Sequence, residues 1–78
     1  GYLVQAGSFR RTADADALRA KLTLNGYAAK VEPIKQRDGE VWQRVLLGTF
    51  KTEQNAKALQ QQLKILDIES VLVLKYAD

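Results

Sequence analysis

The sequence predicts a single α+β domain of element order βαββαβ, a four-stranded antiparallel sheet carrying both helices on one face. Three observations predict it. The chain is an internal duplication, because Val4, Gly7, Phe9, Ala15, Ala17, Leu18 and Leu22 recur at one constant offset as Val45, Gly48, Phe50, Ala56, Ala58, Leu59 and Leu63. In each copy a strand-like segment ends in Gly-Ser-Phe or Gly-Thr-Phe and gives way to a helical pattern. Between the copies stands a polar Lys35–Glu40 segment with the Asp38-Gly39 pair that favours a reversal between antiparallel strands.

The first strand runs into Gly7-Ser8-Phe9. The first helix follows, with Ala15, Leu18 and Leu22 at i, i+3 and i+7, spacing that gathers them on one side. Thr12 is expected to start this helix by accepting a backbone N–H bond, and Asn25-Gly26 to end it. The second strand is read over residues 27–34. Pro33 makes it an edge strand, since proline has no N–H to give to a ladder.

The third strand holds Trp42, Arg44 and Val45 and ends in Gly48-Thr49-Phe50. The second helix presents Ala56, Leu59 and Leu63 and is expected to be capped by Thr52; Asp67 replaces the glycine at its far end. A fourth strand is read over residues 68–76. The copies thus cover about residues 2–35 and 43–76 of one 1–78 domain. Two such units with right-handed crossovers give the ferredoxin-like sandwich, also seen in RNP-type folds, with strands one and three central. Leu24 and Ile65 match between the copies but lie off the main apolar faces, and are expected to pack at the helix ends.

Composition narrows the function. The 78 residues are 46% hydrophobic and 27% charged, as in a soluble globular domain. There is no cysteine and no histidine, which excludes thiol chemistry, disulfides and histidine-based triads or zinc sites. No cofactor is expected. A net charge of +3 suits an anionic partner without approaching the density of dedicated nucleic-acid binders. No apolar run approaches a membrane span, and the opening on a strand-like segment reads as a piece of a longer protein.

Helices on one side leave the other side of the sheet for a ligand. Alternation sends Val4, Ala6, Val45 and Leu47 toward the helices, and Leu3, Gln5, Trp42, Arg44 and Leu46 to the open face. Trp42 offers a flat apolar plate to sugar C–H groups, Arg44 a planar fork to a carboxylate, and Gln5 both a donor and an acceptor. The alternative reading is mutual surface packing of Arg44 on Trp42, with Gln5 a solvated strand residue and Ser8 a turn hydroxyl. Phe9 and Phe50 read as core plugs, and Arg10, Arg11, Lys51 and Lys57 as solvated surface.

The runs Val4-Gln5-Ala6-Gly7-Ser8-Phe9, Ala17-Leu18-Arg19-Ala20-Lys21-Leu22 and Trp42-Gln43-Arg44-Val45-Leu46-Leu47-Gly48-Thr49-Phe50 resemble a SPOR domain over nearly the whole chain. That family carries Val-Gln-x-Gly-Ser-Phe on strand one and aromatic-x-Arg-Val-x-x-Gly-Pro-Phe on strand three; Thr49 departs from its usual proline. The resemblance implies non-catalytic binding of peptidoglycan glycan strands denuded of stem peptides. It further implies targeting of the parent protein to the division septum in the bacterial periplasm, as in cell-division proteins of the FtsN type. It carries the ligand-binding positions to Gln5, Ser8, Trp42 and Arg44, of which Ser8 is the one that alternation does not supply. Membrane attachment is expected only through an anchor outside this fragment, nucleic acid is not an expected partner, and the domain is expected to be monomeric. Two rivals remain: an RNA-binding domain of the same topology, for which strand three lacks the alternating aromatics, and a protein-interaction module using Leu3 and Leu46. Catalysis is the least expected class, since no acid–base pair in a cleft is evident.

Overall fold

The computed structural model describes residues 1–75, built as β1 (Tyr2–Phe9), α1 (Thr12–Leu24), β2 (Ala29–Lys35), β3 (Val41–Phe50), α2 (Glu53–Ile65) and β4 (Val71–Leu74). The four strands form one antiparallel sheet in the order β2-β3-β1-β4, so β1 and β3 are central and Pro33 lies on an edge strand. This is the ferredoxin-like arrangement expected from the duplication. Its extents of 33 × 30 × 17 Å are those of two layers, one sheet and one pair of helices.

Apolar periodicity explains the helix layer. Ala15, Leu22, Ala56, Leu59 and Leu63 are buried against Val4, Ala6, Val45 and Leu47 of the central strands, with Ile68 completing the cluster. Leu18 packs at its margin and is only half-buried. Phe9 and Phe50 pack on the same core, as plugs at the strand ends.

At the helix starts one expectation holds and one is corrected. Thr52 caps α2, its hydroxyl accepting the Asn55 N–H at 3.1 Å. Thr12 does not cap α1: the N-cap is Arg11, with no side-chain bond, and Thr12 already has helical backbone. The Arg11 carbonyl takes the first helical N–H groups, from Asp14 and Ala15, and so moves the start one residue upstream of the hydroxyl.

Both C-termini close by the same pair of bonds. Gly26 and Tyr27 donate to the Thr23 and Leu22 carbonyls, as Asp67 and Ile68 donate to those of Lys64 and Leu63. Asp67 takes the left-handed position at φ 59° that Gly26 takes at φ 86°. The turns use up residues 25–28 and 66–70, which is why β2 starts at Ala29 and β4 at Val71, later than expected. Tyr76, the expected end of β4, lies outside the described residues.

Leu24 and Ile65 correct a further expectation. Packed at neither helix end, they are 88% and 83% exposed on the solvent side, where the helix phase places them opposite the core stripe. The β2–β3 reversal is a three-residue loop, Arg37-Asp38-Gly39. Gln36 N–H donates to Glu40 O, Gly39 N–H to Gln36 O, and Gly39 is left-handed at φ 86°.

Candidate functional site

The face of the sheet opposite the helices is laid out by strand register. Glu32, Arg44 and Ser8 form one row across β2, β3 and β1; Lys30, Leu46, Gln5 and Val71 form the next, and Ile34 and Trp42 pair on the other side of Arg44. Rows on one face are about 6.6–7 Å apart, and neighbouring strands about 4.8 Å. The strip from Trp42 through Arg44 and Ser8 to Gln5 is therefore continuous.

Leu3 and Leu46 are buried at 8% and 4% exposure, yet neither belongs to the helix-side core. They form an apolar floor on this face, Leu3 in register with Val73 and Leu46 flanked by Lys30 and Gln5. No concave pocket interrupts the described surface. An open strip without a concavity suits an extended polymer better than an enclosed small molecule.

Gln5, Trp42 and Arg44 stand on this face as alternation requires. Ser8 reaches it by another route. Two residues of β1, Ala6 and Gly7, span the interval between Leu46 and Val45 on β3, a bulge that reverses the phase of β1. Ala6 and Gly7 both turn toward the helices: Ala6 is in the core, and a Cβ on Gly7 would meet Leu18 and Phe9 side chains. Ser8 then falls directly opposite Arg44, inside a strand rather than in a turn. The signal available in the sequence was the strand-interior glycine, which marks bulges.

Trp42 presents less than a free plate. The Arg10 guanidinium carbon lies 5.6 Å from the centre of its ring, within cation–π range, and Arg10 is also ion-paired with Glu40. Arg10 is exposed, as expected, and in addition stands beside Trp42, because the end of β1 and the hairpin before β3 meet here. The indole Nε1 is buried with no hydrogen-bond partner among the described residues, so the ring offers its donor to nothing at the surface. The stacking that the alternative reading gave to Arg44 is made by Arg10. Arg44 has no ion pair among the described residues; the nearest acid by register, Glu32, is paired with Lys30 at 3.4 Å. An unneutralised guanidinium beside a hydroxyl and an aromatic ring can take a carboxylate by two parallel hydrogen bonds.

Fold and site together define an α+β domain with both helices on one face of its sheet and, among the described residues, no element over the other. A family model described as the SPOR domain matches residues 1–74, and the chain belongs to that family. Two solved structures are similar to it. The crystal structure of the RlpA SPOR domain from Pseudomonas aeruginosa aligns with a TM-score of 0.79 at 22% identity, covering 96% of this chain and 100% of that one. The solution structure of the peptidoglycan-binding domain of the Bacillus subtilis cell wall lytic enzyme CwlC aligns with a TM-score of 0.77 at 28% identity, covering 96% and 89%.

Proposed function

We propose that this domain binds the glycan strands of peptidoglycan, that it prefers strands denuded of stem peptides, and that it performs no catalysis. One observation carries the reading: Arg44, without an ion pair among the described residues, stands between Trp42 and Ser8 on an open sheet face. Membership of the SPOR family supports it, as does the likeness to a domain described as peptidoglycan-binding. Removing a stem peptide exchanges an amide for a free lactyl carboxylate on the sugar. That group is the natural partner for the Arg44 fork. Sugar C–H groups then lie along the part of the Trp42 ring that Arg10 leaves open, while Ser8 and Gln5 exchange hydrogen bonds with hydroxyl and acetamido groups.

In this reading the domain is a monomeric targeting module of the periplasmic cell envelope. It brings a parent protein to the division septum, where stripped strands accumulate, and any membrane anchor lies elsewhere in that parent. RNA is a poorer ligand, since Trp42 is the single aromatic side chain on the open face of the two central strands; Tyr2, Phe9 and Phe50 pack on the helix side. Stacking of successive bases needs more than one ring.

The test is co-sedimentation of the purified domain with cell-wall sacculi before and after amidase digestion, with single-stranded RNA in a parallel titration. Capture that rises on digestion is expected. Equal capture would remove the preference for denuded strands, and RNA bound more tightly than sacculi would remove the glycan reading altogether.

A further inference from the structure

Arg44 serves an anionic ligand only while no carboxylate of the protein occupies its guanidinium. Glu32 is placed to do so. It is the direct cross-strand partner of Arg44 in the β2–β3 ladder, and facing side chains there have Cβ atoms about 4.5–5.5 Å apart, close enough for such a pair to form. The carboxylate goes elsewhere: Glu32 Oε2 lies 3.4 Å from Lys30 Nζ, two residues back on the same strand and the same face. Both side chains are about half exposed, at 57% and 45%, so each is free to re-pair.

We infer that Lys30 is a positioning residue for ligand binding, holding Glu32 away so that the Arg44 fork stays open, and that Glu32 is a built-in competitor that sets the affinity. The inference rests on the proposed function, in which Arg44 receives a carboxylate of the glycan. Glu32 and the ligand then offer Arg44 the same chemical group. The internal carboxylate forms its pair without the entropy cost of association, so even a weak attraction competes with a ligand arriving from solution. Lys30 shifts the balance because its flexible ammonium takes one carboxylate from the side away from Arg44.

The experiment is a titration with soluble, amidase-treated glycan strands of wild type, Lys30→Gln, Glu32→Gln, the double variant, Lys30→Arg and Arg44→Ala, each checked for an unchanged thermal midpoint. Exposed pairs of this kind correspond to roughly two- to fivefold in Kd. Lys30→Gln is expected to weaken binding by about that factor, and Glu32→Gln to tighten it comparably. The double variant should bind like Glu32→Gln, and Lys30→Arg like wild type. If Lys30→Gln weakens binding as much when Glu32 is already replaced, Lys30 touches the ligand itself and the inference fails. If Glu32→Gln leaves the affinity unchanged while Arg44→Ala abolishes it, Glu32 does not compete for Arg44, Lys30 has nothing to hold away, and the inference fails. Full binding by Arg44→Ala would overturn the assignment of the site, and the role of Lys30 with it.

Discussion

Ser8 stands directly across from Arg44 in the β1–β3 ladder, on the face that Gln5 shares only three residues earlier. An odd spacing on one face is impossible in a regular strand and is permitted here by the bulge at Ala6-Gly7. The bulge brings a hydroxyl beside the guanidinium and makes Gly7 a residue on which the site depends.

Gly7→Ala is therefore expected to harm both stability and binding. The added Cβ would lie 2.7 Å from Phe9 Cε2 and 2.8 Å from Leu18 Cδ2, closer than any real contact. Overpacking of this kind costs about 1–3 kcal/mol, readable as a lowered urea midpoint. Glycan affinity should fall further than the folded fraction accounts for to the extent that β1 gives way beside Ser8, and not only the Phe9 and Leu18 side chains. Stability equal to wild type would show that the helix-side contacts of Gly7 are not as described.

Arg44→Ala is expected to weaken binding to amidase-treated sacculi about tenfold or more, the worth of a charged hydrogen-bonded pair. Arg44→Lys should recover part of this, keeping the charge and losing the fork. Arg44 lies outside the helix-side core, so the unfolding free energy of both variants, read from urea denaturation, should stay within about 0.5 kcal/mol of wild type. Titration together with denaturation separates a binding defect from a folding one.

The two helices supply an internal comparison of buried and exposed leucine-like residues. Leu22→Ala and Leu63→Ala, each at a position with no exposure, should cost about 2–5 kcal/mol. Leu18→Ala should cost less, since Leu18 is half-buried at the margin of the core. Leu24→Lys and Ile65→Lys should change stability by less than about 0.5 kcal/mol, both side chains being almost wholly in solvent. Denaturation curves of the five variants check the order; a large loss at Leu24 or Ile65 would contradict the helix phase.

Asp67 holds a left-handed backbone at φ 59° in the cap that Gly26 makes at φ 86°. Asp67→Gly should relieve part of that strain and raise stability by up to about 1 kcal/mol. Gly26→Ala should lower it by about 1 kcal/mol, although nothing lies within 4 Å of the new Cβ, because the cost is in the backbone. Thermal melts that move in the same direction for both substitutions would refute the equivalence of the two caps.

Much of this domain was legible in its residues. The duplication, the helical spacing of Ala15, Leu18 and Leu22, and Pro33 on an edge strand specify the element order and the sheet order, because each is a local preference that the packing respects. Alternation placed Gln5, Trp42 and Arg44 on the open face, since a strand turns its side chains by a fixed period. Three features were decided only by the tertiary structure. Ser8 joins the strip through a register shift that exists only between two paired strands. Arg10 covers the Trp42 ring because residues thirty apart in the chain, Arg10 and Glu40, are brought together where β1 ends and β3 begins. Glu32 pairs with Lys30 although Arg44 stands opposite it in the ladder, a choice between two cations settled by side-chain geometry. Local periodicity fixes which way a strand residue points; which neighbour it meets there depends on the register of chains that are distant in sequence.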